Sequence, residues 1–197
     1  MRAIIRRMGA ARKMTVEQWG ELDDKDFREL VDGVLEEDEM PSLLHDVVIT
    51  WLVVLLAPYF KRRRGFVAAQ GPRLVIRTDR GRVPDVVCWG AHARPEIEGV
   101  IRTPPDVVVE IISPRPRDAR RDRIDKFADY AEMGAKQYWL VDPKIRTFEI
   151  FALGPKRRYT SVAAASRGKI RRIPSLPGLT IDVDALWAEV DRLGASA

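Results

Sequence analysis

The sequence contains a single cysteine, Cys88, among its 197 residues. One cysteine excludes a disulfide framework and a cysteine-based metal cluster, so we expect no disulfide partner and a reducing, cytoplasmic location. Long apolar runs are also missing. The longest one, residues 47–60, contains Pro58 and is shorter than the ~18 residues that a membrane span needs. We therefore expect this run to form a buried helix, without membrane association.

Internal repeats and long linkers are absent as well. The composition, 46% hydrophobic and 32% charged, is typical of a globular protein rather than a disordered or fibrous one. Residues 1–13 contain five basic residues and no acid, and their apolar part is too short for a signal peptide. We interpret them as a basic, loosely ordered leader, followed by a single domain over residues 14–197.

The charge balance is basic, with a net charge of +5 and 34 basic residues, of which 26 are arginine. Arginine makes bidentate contacts with phosphate, so this excess of arginine permits binding to a phosphate-rich partner. The same excess also occurs in proteins from GC-rich genomes. Net charge alone therefore supports nucleic-acid binding only weakly.

Turn and capping signals indicate a mixed order of helices and strands. Asp32-Gly33 between two short extended runs predicts a β-hairpin, and Ser42 begins a long helix that extends to about Arg64. Residues 106–113 and 138–142 read as strands. Between them, Asp118 is suited to begin a helix that Gly134 ends. A strand–helix–strand crossover implies that the two strands are parallel, and the fold class is α/β (mixed α+β).

Carboxylates occur at unusual places in the predicted strands. Glu110 interrupts the run V-V-V-E-I-I, where an unpartnered acid would be costly to bury. Asp106 lies about 13 Å away along the same strand at ~3.3 Å per residue, so it is expected to be a solvated acid at the strand entry. Asp85 begins an earlier strand, 25 residues before Glu110, and can reach it from a neighbouring strand. Two carboxylates and a main-chain carbonyl form an oxygen site suited to Mg²⁺, with Mn²⁺ as an alternative.

The spacing of Asp85 and Glu110 is similar to the PD-(D/E)XK nuclease signature, although Ile112 stands where that signature has lysine. A wider series of segments, over roughly residues 14–190, resembles the Uma-type family of putative restriction endonucleases, a branch of the same nuclease superfamily. In chain order the segments are R-E-L-V-D-G-V-L-E, P-S-L-L-H, V-P-D-V-V, P-P-D-V-V-V-E-I-I-S-P, D-x-x-x-K-x-x-x-Y-x-x-x-G and Y-W-L-V-D-P.

The resemblance implies a restriction-endonuclease-like fold, with a mixed β-sheet flanked by helices and an N-terminal β-hairpin. In this family the catalytic lysine lies on the helix that follows the strand. The resemblance assigns metal binding to Asp85, Glu110 and the Ile111 carbonyl, catalysis to Asp85, Glu110 and Lys126, and site-lining positions to Glu29, His45 and Tyr130.

The residues by themselves leave other interpretations open. On a helical wheel, Ile124 and Phe127 belong to the apolar stripe and Lys126 lies on the polar side, so periodicity alone predicts a solvated lysine. Glu110 could instead pair with an arginine, and His45 could be a structural histidine. Glu29 alone would be an exposed hairpin residue.

The resemblance implies a Mg²⁺-dependent endodeoxyribonuclease that leaves a 5′-phosphate and a 3′-hydroxyl. Its partner would be DNA, and a homodimer is expected because a duplex has two strands to cut. Two alternatives remain open at this point. One is a catalytically inactive nuclease-fold protein that acts as a nucleic-acid-binding or accessory module, and the other is a metal-dependent domain that acts on RNA or a small phosphoester.

Overall fold

A computed structural model describes residues 13–23, 25–37, 42–113 and 120–194, which form two main β-sheets, a third sheet of two short strands within residues 169–182, and helices beside and between the main sheets. The predicted leader up to residue 12 and the predicted helix start at Asp118 lie outside the described residues. The helices are α1 (Val16–Gly20), α2 (Leu43–Arg62), a π-helical segment (Arg121–Lys126) that continues into α3 (Phe127–Met133), and α4 (Val183–Gly194). The strands are β1 (Glu29–Val31), β2 (Val34–Glu36), β3 (Phe66–Ala69), β4 (Arg73–Arg77), β5 (Arg80–Arg82), β6 (Val86–Trp89), β7 (Val100–Ile101), β8 (Val107–Ile111), β9 (Gln137–Asp142), β10 (Thr147–Gly154), β11 (Arg158–Ala165), β12 (Lys169–Ile170) and β13 (Ile181–Asp182).

The larger sheet has six strands in the order β11-β10-β9-β8-β6-β3. Its strands are antiparallel to their neighbours except for β8 and β9, which run parallel. The helical crossover between β8 and β9 explains this exception, because parallel strands cannot be joined by a tight turn. The predicted parallel pair and the mixed sheet are thus confirmed.

Helix α2 covers one face of the larger sheet. Ser42 caps it by accepting a hydrogen bond from the His45 backbone N–H at 3.2 Å, as the sequence predicts for this helix start. The helix is long and apolar enough to cross a membrane by length and composition alone. It nevertheless contributes to the core as a helix of a globular protein does, with six buried residues, Val48, Ile49, Leu52, Leu56, Tyr59 and Phe60.

The smaller sheet has five strands in the order β2-β1-β5-β4-β7 and contains the predicted N-terminal hairpin. The hairpin turn needs Gly33, whose φ of 80° is a left-handed conformation. The sequence predicts only a turn at residues 79–82, but Arg80–Arg82 form strand β5, which pairs with both β1 and β4. Gly81 of this strand allows close packing of Trp19, because a Cβ at Gly81 would lie 2.1 Å from the indole ring.

The helix between β8 and β9 packs between the two sheets, where α3 contacts β4 of the smaller sheet and β11 of the larger one. It ends at Gly134, whose φ is 96°, as the sequence predicts. The wheel interpretation of this helix is wrong, since Ile124 is 54% exposed and Lys126 only 2%. The first segment is π-helical, with more residues per turn than an α-helix, and the smaller sheet covers the face that periodicity assigns to solvent.

Candidate active site

The start of β6 and the middle of β8 bring two carboxylates together. Val86 pairs with Val109 in the antiparallel ladder, and Asp85 lies in the bend just before Val86, while Glu110 directly follows Val109. The two acids that the sequence singles out therefore lie near each other at the end of β6, where both line one cleft.

Asp85 is held at both of its oxygens. Its Oδ2 accepts a hydrogen bond from the backbone N–H of Ile111 at 2.6 Å. Its Oδ1 lies 3.1 Å from Nε2 of His45, which the first turn of α2 positions at the end of the sheet. These contacts fix the carboxylate, whose side chain keeps 16% exposure, toward the space between β6, β8 and α2.

Glu110 is almost completely buried and has a partner at each oxygen. Lys126 Nζ lies 2.9 Å from Oε2, and the Tyr130 hydroxyl donates to Oε1 at 2.5 Å. Burial raises the pKa of Glu110 well above its usual range. The ammonium of Lys126 lowers that pKa, but the nearby carboxylates, Asp85 first among them, raise it further. Burial and the neighbouring carboxylates therefore both disfavour the charged form of Glu110, and the ammonium of Lys126 opposes them.

Lys126 reaches this position because the helix that carries it enters between the sheets. Besides Glu110, its ammonium lies 3.4 Å from Oε1 of Glu29 and 3.4 Å from Oδ1 of Asp122. Asp122 was missed by sequence reasoning, although its position four residues before a lysine on a helix is the spacing of a side-chain ion pair. Its proximity brings a further carboxylate to the site.

A cleft with a free volume of about 170 Å³ opens over these groups. His45, Asp85, Glu110 and Lys126 line it, whereas Glu29 and Tyr130 are buried behind the lining residues. Three other lining side chains, Phe27, Gln70 and Ser113, were also missed, because isolated residues in loops or at strand ends carry no pattern. Among the described residues, the lining consists of Phe27, His45, Gln70, Val83, Pro84, Asp85, Glu110, Ile111, Ser113, Asp122 and Lys126.

Asp106 lies away from this cleft, at the entry of β8. Its carboxylate accepts a hydrogen bond from the Gly90 backbone N–H and lies 2.5 Å from Nζ of Lys136. The expectation of a simply solvated acid is therefore wrong, because Asp106 ties together the loop after β6 and the start of β9. Both Pro-Asp-Val segments begin a strand, but of their two acids only Asp85 lines the cleft.

The donor set around Asp85 and Glu110 fits a hard divalent cation. No three His, Cys, Asp or Glu side chains converge as a metal site within the part of the chain that the structure describes. Two carboxylates are nevertheless enough for Mg²⁺, which keeps several waters and commonly takes one or two carboxylates plus substrate phosphate. Carboxylate oxygens also have spare lone pairs beyond the contacts made here. The carboxylates of Asp85, Asp122 and Glu29 around Glu110 favour the binding of a cation.

Comparison with known proteins agrees with the fold. The crystal structure of a putative nuclease belonging to DUF820 from Anabaena variabilis ATCC 29413 is similar, with a TM-score of 0.70 and 19% sequence identity. The similarity covers 90% of this chain and 99% of that protein. No curated protein matches the sequence. The sequence matches the Uma2 family, described as "Putative restriction endonuclease", over residues 15–184, nearly its whole length. The chain therefore belongs to the Uma2 family of putative restriction endonucleases.

Proposed function

We propose that this protein is a divalent-metal-dependent DNA endonuclease that hydrolyses phosphodiester bonds. One observation carries the proposal: the Asp85 and Glu110 carboxylates and the Lys126 ammonium line one cleft, with Lys126 2.9 Å from Glu110. Two acids and a cation at the end of a sheet can together bind a metal ion and stabilise a phosphate undergoing attack. Family membership supports the same activity.

The metal ion, Mg²⁺ or in its place Mn²⁺, would be held by Asp85, Glu110 and the carbonyl oxygen of Ile111. The Ile112 N–H bonds to β9, whereas the Ile111 N–H bonds to Asp85. In a strand the N–H and C=O of one residue face the same side, so the Ile111 carbonyl faces the Asp85 side. When bound there, the ion would lower the pKa of a coordinated water and offset charge on the phosphate.

Side chains of the protein would position the groups that react and stabilise the charge that develops on them. Lys126 is held on Glu110, so its positive charge lies beside a proposed metal ligand and can stabilise the negative charge that develops on the phosphate. Tyr130 fixes the second oxygen of Glu110 and thereby the direction in which the carboxylate points. Attack of water in line on phosphorus breaks the bond to the 3′ oxygen, which takes up a proton. The products are a 5′-phosphate and a 3′-hydroxyl.

A nuclease assay with a matched pair of variants tests the proposal. Purified protein is incubated with Mg²⁺ or Mn²⁺ and with supercoiled, linear duplex or single-stranded DNA, and with RNA. We expect Asp85→Asn to slow cleavage by more than ~100-fold, beyond the 10–100-fold typical of groups behind the metal ligands. Asp106→Asn changes the same residue type in the same Pro-Asp-Val context and should cleave at the wild-type rate. Intact DNA in every form, or equal rates for Asp85→Asn and wild type, would contradict the proposal.

A second candidate is a catalytically inactive module that binds nucleic acid. The observation in its favour is that Glu110 and Lys126 are each 2% exposed and pair with each other. Such a module would bind DNA with a strong salt dependence, and Asp85→Asn would leave that binding unchanged. Binding without cleavage in the assay above would select it.

A homodimer is part of the nuclease proposal, because the two strands of a duplex must both be cut. Sedimentation velocity of the protein with and without DNA measures the oligomeric state directly. A monomer under both conditions would remove the dimer from the proposal and leave the chemistry of one site intact.

A further inference from the structure

A buried charge network lies directly behind the site. The Arg82 side chain, 1% exposed, donates from Nη1 to Glu29 Oε2 at 2.6 Å and from Nε to Asp129 Oδ2 at 2.7 Å. These residues belong to β5, β1 and α3, so one guanidinium connects the smaller sheet to the helix that carries Lys126. Burial disfavours the charged guanidinium, but Glu29 and Asp129 outweigh this effect and raise the pKa of Arg82 above its usual value.

Glu29 links Arg82 to the site. Its Oε2 accepts from Arg82, while its Oε1 accepts from the Val83 backbone N–H at 3.2 Å and lies 3.4 Å from Lys126 Nζ. Lys126 in turn lies 2.9 Å from Glu110. The ammonium therefore stands among three buried carboxylates, Glu110, Glu29 and Asp122, and Glu29 already has a guanidinium as a counterion.

The charges explain why the second cation matters. Without Arg82, Glu29 would be a buried anion whose nearest described cation is Lys126, and an uncompensated buried charge is strongly unfavourable. Lys126 would then be drawn toward Glu29 and away from Glu110. With Arg82 in place, Glu29 is neutralised and Lys126 remains on Glu110.

We propose that Arg82 is a positioning residue of the site, which compensates the charge of Glu29 and so keeps the Lys126 ammonium on Glu110. The catalytic consequence rests on the nuclease function proposed above, whereas the position of Lys126 can be observed without it. Sequence reasoning gave no sign of this role, because Arg82 is one of 26 arginines and lies in a predicted turn.

Arg80 provides a matched control. It lies two residues away on the same strand and also pairs with Asp129, at 3.0 Å, but its other carboxylate partner is Asp32 of the hairpin turn rather than Glu29. Arg80→Met therefore perturbs the same helix and the same acid without changing the charge balance at Glu29. A role of Arg82 as a mere clamp between sheet and helix predicts similar effects for both variants.

The first measurement is structural and does not depend on activity. In crystals of Arg82→Met we expect Lys126 Nζ within hydrogen-bond distance of Glu29 and no longer on Glu110, while Arg80→Met retains the Lys126–Glu110 contact. If Arg82→Met does not fold, Arg82→Gln is used against Arg80→Gln, because glutamine keeps N–H donors at this position but has no charge to compensate Glu29. The same displacement of Lys126 is expected there. Lys126 remaining on Glu110 in the Arg82 variant overturns the proposal.

The second measurement is kinetic. We expect Arg82→Met to lower kcat at least ~10-fold, as for other groups behind an active site, with little change in KM for DNA. In a Glu29→Gln background, which has no charge to compensate, the same change should have little further effect on kcat. An equal loss of kcat in both backgrounds would mean that Arg82 only holds the sheet and the helix together, and it would overturn the proposal. A wild-type protein without nuclease activity would instead contradict the proposed function, and the crystallographic comparison would still decide the role of Arg82.

Discussion

The two faces of the six-stranded sheet are covered in opposite ways. On one face, Val107, Val109 and Ile111 of β8 pack against α2 in a core made of apolar residues. On the other face, Val108 and Ile112 also contact apolar residues, but between them Glu110 meets Lys126 and Tyr130. One strand thus contributes to a conventional core and to a buried charged cluster, because successive side chains point to opposite faces.

The difference between the two faces indicates that they contribute differently to stability and to function. Well-packed apolar residues contribute directly to the free energy of unfolding. A buried ion pair loses hydration that its attraction barely repays, and apolar residues of the same volume are often equal or better for stability. Stability therefore explains the buried charges of Glu110, Lys126, Glu29 and Arg82 poorly, and the chemistry proposed for the cleft explains them better.

Removing Lys126 from the charged face should have the largest effect, because its loss leaves Glu110, Glu29 and Asp122 without this cation, whereas loss of Glu110 leaves Lys126 with the other two acids. Lys126→Met leaves Glu110 without its cation, and we expect the free energy of unfolding to fall by about 3–5 kcal/mol. Adding Glu110→Leu removes the stranded charge and should recover most of that loss, although the double variant remains inactive. Urea unfolding of the single and double variants measures this. A double variant less stable than Lys126→Met would show that the two faces do not differ in the way described.

A truncation in the apolar face should reduce stability without altering the chemistry. Leu52 of α2 is completely buried, and Leu52→Ala should lower the free energy of unfolding by about 2–5 kcal/mol through lost burial and a residual cavity. Well below the unfolding transition, kcat for DNA cleavage should equal that of wild type. A kcat that falls in proportion to the stability loss would mean that the apolar face also shapes the site.

A third variant replaces a charged residue of the site by an uncharged one of the same size, and it should affect activity more than stability. Glu110→Gln keeps the size of the side chain and removes a charge that burial already disfavours. We expect cleavage to slow by more than ~100-fold, about 2.7 kcal/mol in activation free energy, while the free energy of unfolding changes by no more than about 1 kcal/mol. Cleavage rates and urea unfolding on the same preparation measure both quantities. Cleavage within tenfold of wild type would remove Glu110 from the catalytic set.

The smallest effect is expected from a substitution that tests which side of the helix between β8 and β9 is exposed. Ile124 is 54% exposed, so Ile124→Gln should change the free energy of unfolding by no more than ~0.5 kcal/mol. Periodicity alone places Ile124 in the core and predicts a much larger loss. A loss above about 2 kcal/mol in urea unfolding would favour that interpretation, since it is the scale of a buried aliphatic side chain.

Local signals predicted the elements of the fold well. Asp32-Gly33 forms the turn of the predicted hairpin, Ser42 caps α2 and Gly134 ends α3. Each of these depends on neighbours within a few residues. Strand β5 was missed because it becomes a strand only by pairing with the hairpin, whose partner Leu30 is 51 positions away from Gly81.

The sequence by itself determined most of the order of helices and strands and the parallel β8–β9 pair, and it singled out Asp85, Glu110 and Lys126, which all line the cleft. These follow from periodicity, turn chemistry and motif, which are local or are carried by family resemblance. The tertiary structure decided which charges are buried together: Glu29 and Arg82 are 53 residues apart, and the helix of Lys126 is covered on a face that appears polar. The physical reason is that a side chain is buried by whatever packs against it, and the packing of a second sheet cannot be read from one helix.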